Sequence, residues 1–306
     1  MSFFMLSTED NHEIFVHAWA VDTPSKVFLI AHGMAEHGAR YASLAIFLNT
    51  HNISVYAIDH RGHGKSVRSE DDLGHFTSNP NENGWGKVIG DLHRVTTHLR
   101  ALYPTIPLVL FGHSMGSFIS LGYAIRYGDT LNALILSGSN SSSALVYQAA
   151  RTIALLESWR QGVSGKSNLL YFLSFSSFNK KFEPARTKLD WLSRDRAQVD
   201  LYINDPYCGF QMSNQSWVDL LGGLIEISQR KRLTRIPSDL PVYIFGGAHD
   251  PVGGFGRGLG RLADELRITG ISNLKLRVYP EGRHEMINEI NNKEVFNDII
   301  GWLDNF

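Results

Sequence analysis

The chain has 306 residues, enough for one large domain or two smaller ones, and 43% of them are hydrophobic, so a substantial core can form. A net charge of −1 gives no overall field to attract nucleic acid, and no nucleic-acid partner is expected. Cys208 is the sole cysteine, which excludes an intramolecular disulfide and cysteine-based metal sites and fits a reducing compartment. No apolar run reaches the roughly 18 residues of a membrane span, and Met1 to Asp10 lacks the basic flank of a signal peptide. Cytoplasmic residence is therefore expected.

Residues 13–20 mix apolar and polar side chains as an edge strand does. Residues 26–32, Lys-Val-Phe-Leu-Ile-Ala-His, are continuously apolar up to His32, as for a strand covered on both faces, and Gly33 ends the run. Leu44, Phe47 and Leu48 sit at helical spacing, and Ile53 to Ile58 reads as the next strand. The polar loop Asp59-His-Arg-Gly-His-Gly-Lys-Ser66 follows; its His60, Arg61 and His63 are read as structural rather than as a metal or phosphate site. Val88, Leu92, Val95 and Leu99 repeat with a helical period, Leu108 to Phe111 form a short apolar strand, and Leu131 to Leu136 another. This alternation predicts a mostly parallel sheet with helices on both faces.

The rhythm then stops. Residues 139–236 show no strand–helix alternation, although Leu145 to Leu156 and Asp219 to Ile227 look helical and Leu169 to Phe178 is rich in aromatics. An insertion of this length predicts a helical cap, with 1–138 and 237–306 as the core. Arg230-Lys231-Arg232 within it reads as a solvated face. Alternation resumes with a strand at 241–246, a helix marked by Leu259, Leu262 and Leu266, a strand at 274–279 and a closing helix carrying Val295, Phe296, Ile299, Ile300 and Leu303.

Chemistry concentrates where the strand at 108–111 meets Gly112-His113-Ser114-Met115-Gly116. A G-x-S-x-G pattern between strand and helix marks a tight elbow that lifts a serine hydroxyl above the sheet. Glycine at 112 and 116 fits a turn so sharp that a Cβ would collide, and the Met115 N–H lies at the helix start, free to donate to an oxyanion. A serine hydroxyl needs a base, itself oriented by an acid. In such sheets the acid and then the histidine follow the serine in chain order, each on a loop after a strand. Asp250 and His284 occupy those two places, and the neighbours His249 and Glu285 are ranked below them. A second oxyanion donor is expected from Met34, with Gly33 allowing the bend and His32 in a structural role. No metal or other cofactor is expected.

His32-Gly-Met-Ala-Glu-His-Gly-Ala-Arg-Tyr41 resembles the H-G-x-x-E-H-x-x-R-Y segment of the monoacylglycerol lipase and lysophospholipase family of α/β-hydrolases. Asp59 to Ser66 is similar to its D-x-R-G-H-G-x-S loop, and Asn204-Asp-Pro-Tyr-Cys-Gly209 and His249-Asp-Pro-Val252 resemble segments of bacterial members. The resemblance implies an α/β-hydrolase fold, a triad of Ser114, Asp250 and His284, oxyanion donors Met34 and Met115, and a cap bearing an acyl pocket that touches membrane transiently. Ala35 departs from the pattern, since relatives often carry glycine there. The implied substrate is an ester or lipid monoester, monoacylglycerol before lysophospholipid. A short-chain carboxylesterase, a small-residue aminopeptidase and a catalytically silent ligand-binding relative remain as alternatives.

Overall fold

The computed structural model describes residues 2–77 and 79–305. Eight strands form one sheet: β1 (Ser2–Ser7), β2 (Glu13–Trp19), β3 (Lys26–Ala31), β4 (Ile53–Ile58), β5 (Leu108–His113), β6 (Ala133–Ser137), β7 (Val242–Gly247) and β8 (Leu274–Tyr279). Their spatial order is β1-β2-β4-β3-β5-β6-β7-β8, with β2 antiparallel to both its neighbours and every other pairing parallel. Strands β4, β5, β6 and β7 are buried along their whole length, which is why they read as uninterrupted apolar runs.

The edge assignment from sequence needs correcting. β1 pairs outside β2, from Ser2 opposite Ala18 to Ser7 opposite Glu13, so β2 is the second strand. β1 gives no alternating signal because only Leu6 in it is buried; Phe3 instead stacks on Phe15 at 4.8 Å.

Helices cover both faces. α1 (Ala42–Asn49) and α10 (Asn292–Leu303) pack Leu44, Leu48, Val295, Phe296 and Ile299 against one face. α2 (Gly84–Leu102), α3 (Met115–Tyr127) and α9 (Arg257–Ile268) pack Val88, Leu92, Ile119, Leu259 and Leu262 against the other. Strand order reverses around β3: the chain leaves it for β4 on one side and returns through β5 on the other. Loops leaving the carboxyl ends of β3 and β5 therefore diverge and open a crevice, the usual ligand position in such sheets.

Among the described residues no strand lies between Ser137 and Val242; that stretch holds α4 (Ala144–Gln161), α5 (Asn168–Phe175), α6 (Arg196–Asn204), α7 (Asn214–Ile227) and the single turn α8 (Arg230–Leu233). Arg230 there pairs with Glu265 on α9. No helix among the described residues is long and apolar enough to cross a membrane.

α7 is seated on the core by close approach. A Cβ at Gly223 would fall 2.1 Å from Cδ2 of the buried Trp85, and one at Gly122 of α3 2.8 Å from its Cζ2. The indole is thus clasped between two helices that carry glycine where they meet it. Gly260 on α9, by contrast, has nothing within 4 Å of its would-be Cβ. Alanine favours a helix over glycine by about 1 kcal/mol, whereas overpacking a core costs about 1–3 kcal/mol. Gly223→Ala should therefore lower the urea midpoint and Gly260→Ala should raise it. Equal shifts in one direction would show that the Trp85 clasp does not restrain α7.

Candidate active site

Ser114 links β5 to α3 with φ +52° and ψ −120°, outside the relaxed regions for a side chain other than glycine. The surroundings hold it there. Its N–H donates to Ser137 O on β6 at 2.9 Å. A Cβ at Gly116 would lie 2.1 Å from Ala31 O, and one at Gly112 2.4 Å from Gly116 O. Both glycines of the motif are thus required by contact, and the turn presses against the end of β3.

His284 and Asp250 follow β8 and β7, as their sequence positions predict. His284 Nδ1–H donates to Asp250 Oδ1 at 3.0 Å, and the same oxygen accepts the Val252 N–H at 2.8 Å. The imidazole lies between the rings of His113 at 4.7 Å and Trp191 at 5.1 Å. Burial pulls its pKa down, but the charge and hydrogen bond of Asp250, with Glu285 and Glu36 beyond, outweigh this and leave it raised above 6.5. His284 and Ser114 line one cavity, although among the described residues the imidazole hydrogen-bonds only to Asp250. Catalytic hydrogen bonds are often long before substrate binds.

Gly138, not singled out from sequence, makes room for this arrangement. It has φ +58°, and a Cβ there would lie 3.0 Å from both His113 Cε1 and His284 Cε1. Trp191 was missed as well, because nothing in the insertion's pattern marks which aromatic reaches the site.

The loop after β3 brings Gly33 against the elbow: its would-be Cβ lies 3.3 Å from Ser114 Cβ. No described residue takes up the N–H of Met34 or Met115. His32 is buried and neutral; its Nδ1–H donates to Gly33 O at 2.7 Å while Nε2 accepts the His60 N–H at 3.0 Å. Ala35, the departure from the family pattern, has φ +53°, a conformation that favours glycine. Its carbonyl accepts from Tyr202 Oη at 2.8 Å and from Gly209 N at 2.9 Å, both in the insertion. Glu285, considered as a rival acid, turns away from Asp250's role and meets Arg40.

The loop at 59–66 is built by internal bonds. Asp59 accepts from His17 Nε2 at 3.0 Å, Gly38 N at 2.7 Å and Lys65 N at 2.8 Å. Arg61 grips Asp91 through two bonds of 2.6 Å. Side chains of metal-ligand type do converge on His37: His17 with Asp59 on one side, Asp205 with Cys208 on the other. The carboxylates there already accept protein hydrogen bonds, Asp205 from His37 Nε2 at 2.8 Å and from Tyr207 N at 2.8 Å. Cys208 is partly buried, and burial raises its pKa, so the thiol stays protonated.

The cavity above Ser114 measures about 740 Å³. Of the aromatic run at 169–178, Tyr171, Phe172 and Phe175 line it, while Phe178 packs beside Trp191 at 4.9 Å. Leu170 is buried and Leu169 and Leu173 are exposed, so these leucines do not form its wall. Trp191, Leu192, Phe210, Met212 and Trp217 add to the apolar lining, while Glu183, Arg186 and Lys188 put charged groups on part of the wall.

A strained serine on a strand–helix elbow, a histidine–carboxylate pair on the loops after β8 and β7 and this strand order together define an α/β-hydrolase. Residues 22–291 match the family described as Hydrolase_4: Serine aminopeptidase, S33, and the chain belongs to it. It is 26% identical over 291 residues to a monoacylglycerol lipase of Mycolicibacterium smegmatis, covering 93% of this chain and 90% of that one. It is likewise 26% identical to the monoglyceride lipase of Mus musculus, over 80% of this chain and 72% of the other. A carboxyl esterase from Bacillus coagulans in complex with glycerol superposes with a TM-score of 0.89 at 27% identity, covering 100% and 99% of the two chains. These likenesses place the chain among the serine ester hydrolases, in agreement with the resemblance read from its motifs.

Four buried histidines around the site carry a stability consequence. Burial holds His32 well below 6.5, His60 at about 3, His63 at about 4 and His113 at about 3. The unfolded chain therefore binds more protons than the folded one below about pH 6.5, so their stability contribution is complete above that pH and is lost as pH falls. His284, raised, acts in the opposite sense but is one group against four. The urea midpoint should fall between pH 7 and pH 5, before most carboxylates titrate. A constant or rising midpoint over that interval would contradict neutral burial of these rings.

Proposed function

We propose that the protein hydrolyses carboxylic esters through Ser114, His284 and Asp250, and that its substrates are lipid monoesters. The observation that carries this is Ser114 at φ +52°, facing a predominantly apolar cavity of about 740 Å³ that it shares with His284. Ser114 Oγ attacks the ester carbonyl while His284 Nε2 takes its proton, and Asp250 holds Nδ1–H and stabilises the imidazolium. The N–H groups of Met34 and Met115 receive the oxyanion of the tetrahedral intermediate. As the intermediate collapses, His284 protonates the departing alcohol. Water activated by the same imidazole then attacks the acyl-enzyme, and the acid leaves.

Residues 139–236 act as a cap over this centre. Tyr171, Phe172, Phe175, Met212 and Trp217 form the acyl slot. Exposed Leu169, Phe172 and Leu173 on α5 give the cap an apolar surface for transient contact with lipid. A monoacylglycerol fits best, in keeping with the names of the relatives, and a lysophospholipid second. An aminopeptidase would need a carboxylate for the substrate's ammonium group. Glu36 and Glu285, beside Gly33 and His284, are both engaged by Arg40, but Glu183 also lines the cavity, so the anilide comparison below separates the two readings.

Ser114→Ala should lower kcat/KM by about three to six orders of magnitude. Activity should decline on the acid side with an apparent pKa above 6.5, because protonated His284 cannot act as base. An acid limb below that value would mean that Asp250 does not hold the imidazole charge as described.

Chain length tests the substrate. Each buried methylene contributes about 0.8 kcal/mol, so four more carbons in the slot should raise kcat/KM by roughly two orders of magnitude. Measured on p-nitrophenyl esters from acetate to laurate, with 1-monoacylglycerols and an alanyl anilide alongside, kcat/KM should climb with acyl length. A maximum at acetate or butyrate would make this a short-chain carboxylesterase, and preference for the anilide would make it a peptidase.

A further inference from the structure

Arg40 lies behind both loops that the proposed reaction uses. Its guanidinium donates two parallel hydrogen bonds to Glu285, Nη1 to Oε1 at 2.8 Å and Nη2 to Oε2 at 2.7 Å, and Nη1 also reaches Glu36 Oε2. Glu36 Oε1 accepts the Gly33 N–H at 2.6 Å and the Tyr41 hydroxyl at 2.9 Å. Glu285 adjoins His284 and also accepts from Asn288 Nδ2 at 2.9 Å. Side-chain exposure is 9% for Arg40 and 4% for each carboxylate, so the three charges are almost dry. The Tyr202 ring covers the guanidinium at 4.8 Å.

One cation therefore ties the residue before Met34 to the residue after His284. The two loops leave different strands, and the next direct links run into the insertion rather than between them: Ala35 O to Tyr202 and Gly209, and His284 N to Trp191 O at 3.3 Å. Guanidinium geometry suits this task, because its planar fork can hold two carboxylates at fixed angles where an ammonium cannot.

We propose that Arg40 is a positioning residue that sets the separation between the Met34 oxyanion donor and the His284 imidazole. The inference rests on the reaction proposed for Ser114, and it adds a role for the Glu36, Arg40 and Glu285 cluster that is not needed to describe that reaction. A misplacement of about 1 Å in such a site costs on the order of 100-fold in rate.

The cluster also sets the charge around the base. Asp250 faces His284 from the loop after β7, Glu285 from its own loop, Glu36 from the loop after β3 and His113 from β5, with Arg40 behind the two glutamates. Arg40→Met leaves Glu36 and Glu285 uncompensated, which favours protonated His284 and moves the acid limb to higher pH. Glu285→Gln removes a negative charge beside His284 and leaves Arg40 paired with Glu36 alone, which moves the limb to lower pH.

The test is kcat and KM against pH for the wild type, Arg40→Met, Arg40→Lys, Glu285→Gln and Ser114→Ala, with melting temperatures on the same samples. Arg40→Met should lose about 100-fold in kcat with little change in KM, and Arg40→Lys about tenfold with the limb near its original position. The acid limbs of Arg40→Met and Glu285→Gln should shift in opposite directions. If Arg40→Met does not fold, Arg40→Lys and Glu285→Gln still decide the matter. An inactive Ser114→Ala beside folded clamp variants with wild-type kcat and unmoved limbs, even at a lower melting temperature, would overturn the positioning role and leave the proposed reaction standing. An active Ser114→Ala would instead overturn the reaction itself.

Discussion

The structure depends on one close approach, that of the β5–α3 elbow to the end of β3. Gly116 sits so near Ala31 and His32 that no side chain fits between them. That contact lets α3 start directly beneath the crevice and forces Ser114 into a conformation that costs about 1–3 kcal/mol. It also sets the loop after β3 against the elbow, with the would-be Cβ of Gly33 3.3 Å from Ser114 Cβ, as the proposed donor roles of Met34 and Met115 require. Strain, loop placement and serine exposure are thus consequences of the same packing.

Buried polarity is the second constraint, and it is organised by pairing. Asp250 rests on His284 and Val252 N, Glu285 on Arg40 and Asn288, and Asp59 on His17 and two backbone donors. Breaking a buried pair strands a charge and costs more than the pair contributes, so these contacts fix geometry more than they add stability. The histidines without a charged partner, such as His60 and His113, are kept neutral by burial. His284 departs from this rule because Asp250, Glu285 and Glu36 all face it.

The core sheet was legible in the sequence because β4 to β7 are covered on both faces and hydrophobic throughout. The places of Ser114 and Asp250 were legible for a related reason, since each follows such a strand, whereas His284 follows the half-exposed β8 and was placed by the chain order serine, acid, histidine. β1 was not, since a half-exposed edge strand with a single buried residue has no period to detect. Gly138 and Trp191 were invisible for another reason: their importance comes from contact with His284, which is remote in sequence, and local pattern carries no trace of it. Glu36, Arg40 and Glu285 lie in between. Two of them stood out within a motif, and the third was noticed only as a rival acid, whereas their common function appears once 245 residues of chain separation close to a single salt bridge. The aromatic run at 169–178 was correctly marked as apolar, but helical geometry sends only part of it inward.

The most direct test of the account is to identify the nucleophile. The protein should be treated with a fluorophosphonate, digested, and the modified peptide sequenced by tandem mass spectrometry. A single adduct on Ser114, formed far more slowly in His284→Ala and absent from Ser114→Ala, is the predicted result. An adduct on any other serine, or labelling that persists in Ser114→Ala, would contradict it.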